Sequence, residues 1–180
     1  LSACGNTTQK SEKPILTVTL EPLRYFTEAI AGDNYEVVSM VPKGSSPESY
    51  DPTPQQLVNL SKSQAYFRIG YIGFEQAWMK KLEANCPNMK VYDTSQGIDL
   101  LRDKGHWHGN HFHEGGVEPH VWNSTQNALI IADNIYQALC ELDSTHQEDY
   151  QKRLDVLKQT IRQTDANVHT LLENADSTFL

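Results

Sequence analysis

Histidines are concentrated in one short part of this 180-residue sequence. Five of the seven fall within residues 106–120. Neutral imidazole is the commonest side-chain ligand for zinc, copper and nickel, and clustered histidines in a polar tract are typical of metal binding. The spacing predicts a flexible loop that collects metal ions, in preference to a polar loop whose histidines only titrate. Four histidines make up this loop: His106, His108, His111 and His113.

Two further residues are candidate metal ligands at a more ordered position. His120 lies between Pro119 and Val121-Trp122, a setting that predicts a side chain held by structure. Glu48 lies in the long turn of residues 43–52. Both follow predicted strands, and in parallel sheets ligands collect beyond the carboxyl ends of the strands. The sequence therefore predicts that Glu48 and His120 converge there.

The elements that would position these residues follow from apolar patterning. β-branched runs predict strands at 15–20, 35–41, 65–69 and 90–93, and helical spacing predicts helices at 22–31, from Pro54 onward and at 74–84. Thr53 is the expected N-cap of the second of these helices. Strands that alternate with short helices favour a parallel sheet, so the predicted fold class is α/β with a Rossmann-like lobe.

The rest of the chain is predicted to be helical. We expect one helix over 127–142, a break at Asp143-Ser144 with Ser144 as the N-cap, and a helix of about thirty residues from Thr145 to Ala175. Residues 177–180 resemble the start of a strand. The predicted organisation is a polar tether (1–13), a metal-binding lobe (14–143), a long linking helix (144–176) and the start of a second lobe (177–180).

Composition limits the possible partners and the compartment. A formal net charge of −8 without a basic block argues against nucleic-acid binding, and no apolar run is long enough to span a membrane. The opening residues, Leu1 to Gly5, resemble the end of a bacterial lipoprotein signal, so acyl chains on Cys4 are expected to anchor an extracytoplasmic protein to the membrane. Cys86 and Cys140 lack CxxC spacing, and whether they pair is left open.

Three motifs together resemble one family of bacterial proteins. Residues 47–54 (PESYDPTP) resemble the pattern Pro-His-Ser-Tyr-Glu-Pro-Thr-Pro, and residues 118–125 (EPHVWNST) resemble Asp-Pro-His-Val-Trp-Leu-Ser-Pro. Residues 70–78 are similar to Asn-Gly-x-Gly-Leu-Glu-x-Trp. These are patterns of the ZnuA-like or TroA-like zinc and manganese substrate-binding proteins of ABC transporters, and the resemblance spans residues 15–180.

The resemblance implies a metal receptor built from two lobes joined by a rigid helix, with the ion in the cleft between them. This chain would hold the first lobe and the linking helix, with Glu48 and His120 as half of the ligand set and the second lobe absent. The family has histidine where this chain has Glu48, and carboxylate oxygen also binds zinc. The implied cargo is Zn²⁺, and the implied partner is the membrane permease of an ABC importer.

Several alternatives stay open at this point. A manganese receptor on the same fold would suit the harder Glu48 carboxylate, although the histidine-rich loop favours zinc. A metal-dependent hydrolase would need three ligands and a general base, as in H-E-x-x-H, and no such pair is present. A surface adhesin on the same scaffold would bind its partner independently of zinc. The predicted function remains a receptor and not an enzyme.

Overall fold

The protein has an α/β fold built on a four-stranded parallel sheet. The computed structural model describes residues 12–98, 106–108, 111–113 and 124–164. The strands are β1 (Ile15–Val18), β2 (Glu36–Ser39), β3 (Ser63–Arg68) and β4 (Lys90–Asp93), in the order β2-β1-β3-β4. All three neighbouring pairs are parallel. The predicted fold class is confirmed. β1 and β2 are two and three residues shorter than the apolar runs suggested, β3 is one residue longer, and β4 has the predicted bounds.

Three helices connect the strands of this sheet. They are α1 (Glu21–Ala31), α2 (Pro54–Leu60) and α3 (Gly73–Asn85). The predicted cap of α2 is confirmed, because the Thr53 side chain accepts from the Gln56 amide while the Gln56 side chain accepts from the Thr53 amide. Right-handed crossovers from β1 to β2 and from β3 to β4 run in opposite directions, so α1 and α3 lie on opposite faces of the sheet.

Two further helices pack against α1 and complete the layer on that face. They are α4 (Thr125–Leu142) and α5 (Gln147–Gln163), which also pack against each other. The apolar stripe of α5 is buried and consists of Tyr150, Leu154, Leu157 and Ile161. No described helix combines the length and the apolar character needed to cross a bilayer.

The turn between α4 and α5 differs from the prediction. Ser144 does not cap a helix: residues Ser144–His146 form a 3-10 turn, and the Asp143 carboxylate accepts from the Thr145 amide at 3.1 Å. The same carboxylate contacts His146 Nδ1 at 2.6 Å and accepts from the Tyr150 hydroxyl at 2.9 Å. Two carboxylate oxygens satisfy three donors here, which one serine hydroxyl cannot do. The predicted continuation to Ala175, the strand start at 177–180 and Cys4 lie outside the described residues.

Candidate functional site

The sheet has one point where its connections leave in opposite directions. After β1 the chain enters α1 on one face, and after β3 it enters α3 on the other. This divergence opens a crevice at the carboxyl ends of β1 and β3, the usual position of ligand sites in open α/β sheets. The segment before α2, which carries Glu48, reaches α3 at this end of the sheet.

Glu48 rests directly on the first turn of α3. Its Oε2 accepts from the Gly73 amide at 3.0 Å, and the neighbouring Pro47 carbonyl accepts from the Phe74 amide at 2.9 Å. Ile72, the residue that precedes α3, has no side-chain acceptor of its own. A carboxylate at a helix N-terminus is favourable because it satisfies an unpaired amide and complements the helix dipole. Glu48 is otherwise exposed, and Oε1 makes no hydrogen bond to the described residues.

The close approach of this loop explains the glycine at position 73. A Cβ there would lie 2.3 Å from the Glu48 carbonyl oxygen and 2.8 Å from Glu48 Oε2. Such distances are far inside van der Waals contact, and the nearest atom belongs to the backbone. A side chain at position 73 would therefore displace the loop that presents Glu48.

Two side chains fasten the far end of the same loop. The Trp78 indole Nε1 donates to Asp51 Oδ1 at 2.9 Å, and the Tyr50 hydroxyl donates to Gln56 Oε1 at 2.7 Å. Residues 47–54 and 70–78 are therefore one structural unit in which α3 supports the loop. Sequence reasoning missed these roles of Asp51, Gly73 and Trp78, and the only signal was that two of the matched motifs contain them.

A buried carboxylate stabilises the turn that leads into α3. Glu75 Oε2 accepts from the Ile69 amide at 3.0 Å and Oε1 from the Gly70 amide at 2.6 Å. Arg68 Nε lies 3.4 Å from Oε1. Burial raises the pKa of Glu75, opposed by these amides, the Thr19 hydroxyl and the Arg68 charge. This network was also missed, because an acidic residue in a helix is usually exposed.

The end of β4 is fixed just before the chain continues toward the histidine-rich tract. The Thr94 amide and hydroxyl both donate to the Arg68 carbonyl, at 2.9 and 2.8 Å. Asn134 of α4 donates to the carbonyls of Thr94 and Gln96, each at 2.8 Å. Residues 94–96, which precede the histidine-rich tract of residues 106–113, are therefore held by both the end of β3 and the helical layer.

The histidine-rich tract is not simply a flexible loop. It contains two short strands, β5 (His106–His108) and β6 (His111–His113), paired antiparallel. The register pairs His106 with His113 and His108 with His111. Paired residues share a face of such a ribbon, as do alternate residues along a strand, so the four histidine positions fall on one face. Trp107 and Phe112 make this segment a good strand former, which the prediction of a loop did not take into account, and the metal-collecting role of the tract stays a prediction.

The remaining candidate residues stand as follows. His120 lies outside the described residues, so its convergence with Glu48 stays a prediction. Cys86 and Cys140 are both free, the first buried and the second half-buried. Within the described part of the chain, no three or more His, Cys, Asp and Glu residues are grouped to hold a metal ion. Glu48 is thus the one predicted ligand whose side-chain geometry is known.

Comparison with known proteins gives consistent matches. A family model described as zinc-uptake complex component A, periplasmic (ZnuA), matches residues 16–179. The iron ABC transporter substrate-binding lipoprotein MtsA of Streptococcus pyogenes serotype M1 is 33% identical over 159 residues, which cover 85% of this chain and 49% of MtsA. The manganese ABC transporter substrate-binding lipoprotein scaA of Streptococcus gordonii is 32% identical over 164 residues, covering 86% and 51%.

A solved structure agrees with these matches. The zinc-bound 138–173 deletion mutant of ZnuA matches at a TM-score of 0.74 with 36% identity, over 84% of this chain and 55% of that one. The chain therefore spans about half the length of the relatives that it matches.

Proposed function

The chain belongs to the family of periplasmic zinc-uptake component A, and from this premise we propose that it is the metal-capturing part of a receptor for an ABC-type importer. The observation that carries the proposal is the Glu48 loop, which is fixed at the crevice between β1 and β3 by the first turn of α3. Glu48 and His120 would supply this lobe's half of the ligand set. Closed coordination of that kind suits capture and release, whereas a catalytic zinc keeps a position open for water.

The geometry of Glu48 supports coordination through one oxygen. Oε2 accepts a hydrogen bond from the Gly73 amide, whereas Oε1 has no hydrogen bond to any described residue. A carboxylate can hold a helix amide with one oxygen and a cation with the other, because each oxygen has two lone pairs. The loop is also supported at Asp51, so little further ordering would be needed when an ion arrives.

We propose zinc as the cargo, with manganese as the alternative. Imidazole suits zinc, and this chain carries five imidazoles close together in sequence: His120 and the four histidines of the ribbon. Carboxylate suits manganese and iron better, and the relatives include proteins named for iron and manganese. The ribbon histidines, His106, His108, His111 and His113, would be a weaker store that exchanges metal with the crevice site.

Membrane attachment and the permease partner complete the proposal. The family description as periplasmic agrees with an extracytoplasmic location, and the relatives are named lipoproteins. Acyl chains on Cys4, followed by the polar residues to Lys13, would tether the lobe near its importer.

Equilibrium dialysis against Zn²⁺, Mn²⁺ and Fe²⁺, each alone and in competition, tests the proposed cargo. We expect zinc to be retained and to survive competition by equal manganese. Manganese retained in preference to zinc would establish the alternative. Retention of none of the three ions would contradict the receptor proposal for this chain.

A further inference from the structure

Glu75 is a buried carboxylate that the proposed function does not use. It is 2% exposed, on the helix that supports the Glu48 loop. Removing a carboxylate from water is costly unless hydrogen bonds replace the lost hydration, so its presence calls for a structural reason. That reason lies in the turn of residues 69–73, between β3 and α3.

The backbone of this turn is strained. Gly70 has a φ of 84° and Tyr71 a φ of 64°, and Tyr71 is the only non-glycine residue with a positive φ in the described part of the chain. The left-handed region is unfavourable for a residue with a Cβ, and the Tyr71 side chain is 48% exposed, so burial of its ring offsets little of this cost. Interactions elsewhere must hold the turn.

Glu75 supplies those interactions. Its carboxylate reaches back over the first turn of α3 and accepts from the amides of Ile69 and Gly70, the residues that lead into the strained position. Arg68, one residue earlier, lies beside the same carboxylate. The other side of the turn is held by the Gln76 side chain, which donates to the Tyr71 carbonyl at 3.1 Å. The turn ends at Gly73, whose amide holds Glu48.

We propose that Glu75 is a positioning residue for metal capture, because it holds the 69–73 turn in its strained conformation and so directs the Gly73 and Phe74 amides at the loop that carries Glu48. The inference rests on the proposed function only in taking Glu48 as a ligand. The effect on the two amides is a property of the lobe itself and is measured without metal.

Amide hydrogen exchange of Gly73 and Phe74, followed by NMR in metal-free protein, tests the proposal. Glu75→Gln leaves one acceptor oxygen and puts an amide donor against a backbone N–H, so exchange at both positions should become about tenfold faster. Glu83→Gln is the matched control, because Glu83 is an exposed carboxylate on the same helix. It should leave both exchange rates unchanged.

A second substitution separates positioning from a general loss of stability. Tyr71→Gly removes the cost of the left-handed conformation, so in the Glu75→Gln background it should return both rates to within about threefold of the wild-type values. If Glu75 only stabilised the fold in general, Glu75→Gln would also speed exchange at core amides such as those of β1, and Tyr71→Gly would not act selectively on Gly73 and Phe74. Unchanged exchange in Glu75→Gln, or no recovery in the double variant, overturns the proposal. If Glu75→Gln does not fold, the double variant must fold, and its failure to do so is equally contradictory.

A zinc titration of the same proteins keeps the two proposals distinct. Zinc affinity should fall in Glu75→Gln and recover in the double variant, in step with the exchange rates. If wild type binds no zinc through Glu48, the proposed ligand fails, and the exchange data alone decide the role of Glu75. If Glu75→Gln loses protection at Gly73 and Phe74 but binds zinc as tightly as wild type, Glu75 does not position the metal ligand.

Discussion

Glu48 has two separable roles, and two substitutions distinguish them. The carboxylate caps α3 through Oε2 and is the proposed metal ligand through Oε1. Glu48→Gln keeps an oxygen that can accept from the Gly73 amide but removes the negative charge and most of the affinity for a cation. Glu48→Ala removes both the cap and the ligand.

The expected stabilities follow from the size of each contribution. Loss of a helix N-cap costs about 1 kcal/mol, whereas loss of the charge alone at a helix N-terminus costs about 0.3–1 kcal/mol. For a chain of this length, about 1 kcal/mol corresponds to a fall in Tm of about 2–4 °C. Metal-free stability should therefore decrease from wild type to Glu48→Gln to Glu48→Ala. Zinc binding at the crevice should be lost equally in both variants.

Urea unfolding of metal-free protein and a zinc titration are the two assays, with Glu83→Gln as the control for removal of an exposed charge. The reasoning would be refuted by a Glu48→Ala variant as stable as wild type, because the cap would then contribute nothing. It would also be refuted by a Glu48→Gln variant that binds zinc as tightly as wild type, because a neutral amide would then replace the ligand.

Three further predictions concern the loop, the turn before α5 and the core. Gly73→Ala should weaken zinc binding about tenfold or more in a titration while changing the urea midpoint little, because its Cβ would displace the Glu48 loop while alanine favours the helix. Burial acts to raise the pKa of Asp143, but the hydrogen bonds from His146, Tyr150 and the Thr145 amide, with the charge of His146, together outweigh it and hold this pKa below its usual value. Asp143 therefore stabilises the fold above its ordinary pKa of about 3.9, and this contribution is lost as pH falls through the folded-state value. Asp143→Asn should lower the urea midpoint at pH 7, and the difference from wild type should narrow as the pH falls below the ordinary value. Leu157→Ala should cost about 2–5 kcal/mol in urea unfolding, because Leu157 is 3% exposed in the α5 stripe; a cost below 1 kcal/mol would contradict the packing of α5.

The parallel sheet could be predicted because its signals are local. Each strand is an apolar run ended by proline, glycine or a polar residue, and the Thr53-Pro54 start of α2 contains its own cap. The prediction of Ser144 as a cap was wrong because Asp143 is the acceptor instead. The Asp143 carboxylate is held in place by the hydroxyl of Tyr150, which lies seven residues further along the chain and is buried in the helical layer. A partner at this distance along the chain cannot be recognised from the residues around Ser144.

The support of the site could not be predicted for the same reason. Glu48 and Gly73 are 25 residues apart, and Trp78 and Asp51 are 27 apart. The local sequence around each residue therefore does not predict these hydrogen bonds. The buried position of Glu75 also depends on amides at the end of a strand. Residue types alone identified Glu48 as a possible ligand, while the reason why its carboxylate is held in place required the fold.

The most direct test of the receptor proposal is a zinc titration followed by native mass spectrometry. The proteins compared are wild type, a variant lacking residues 105–115, and the same deletion combined with Glu48→Ala or His120→Ala. We expect several zinc ions on wild type, one on the deletion variant, and none after either added substitution. If the deletion removes all bound zinc, or if one zinc remains after either Glu48 or His120 is replaced, then these two residues do not form the metal site proposed here.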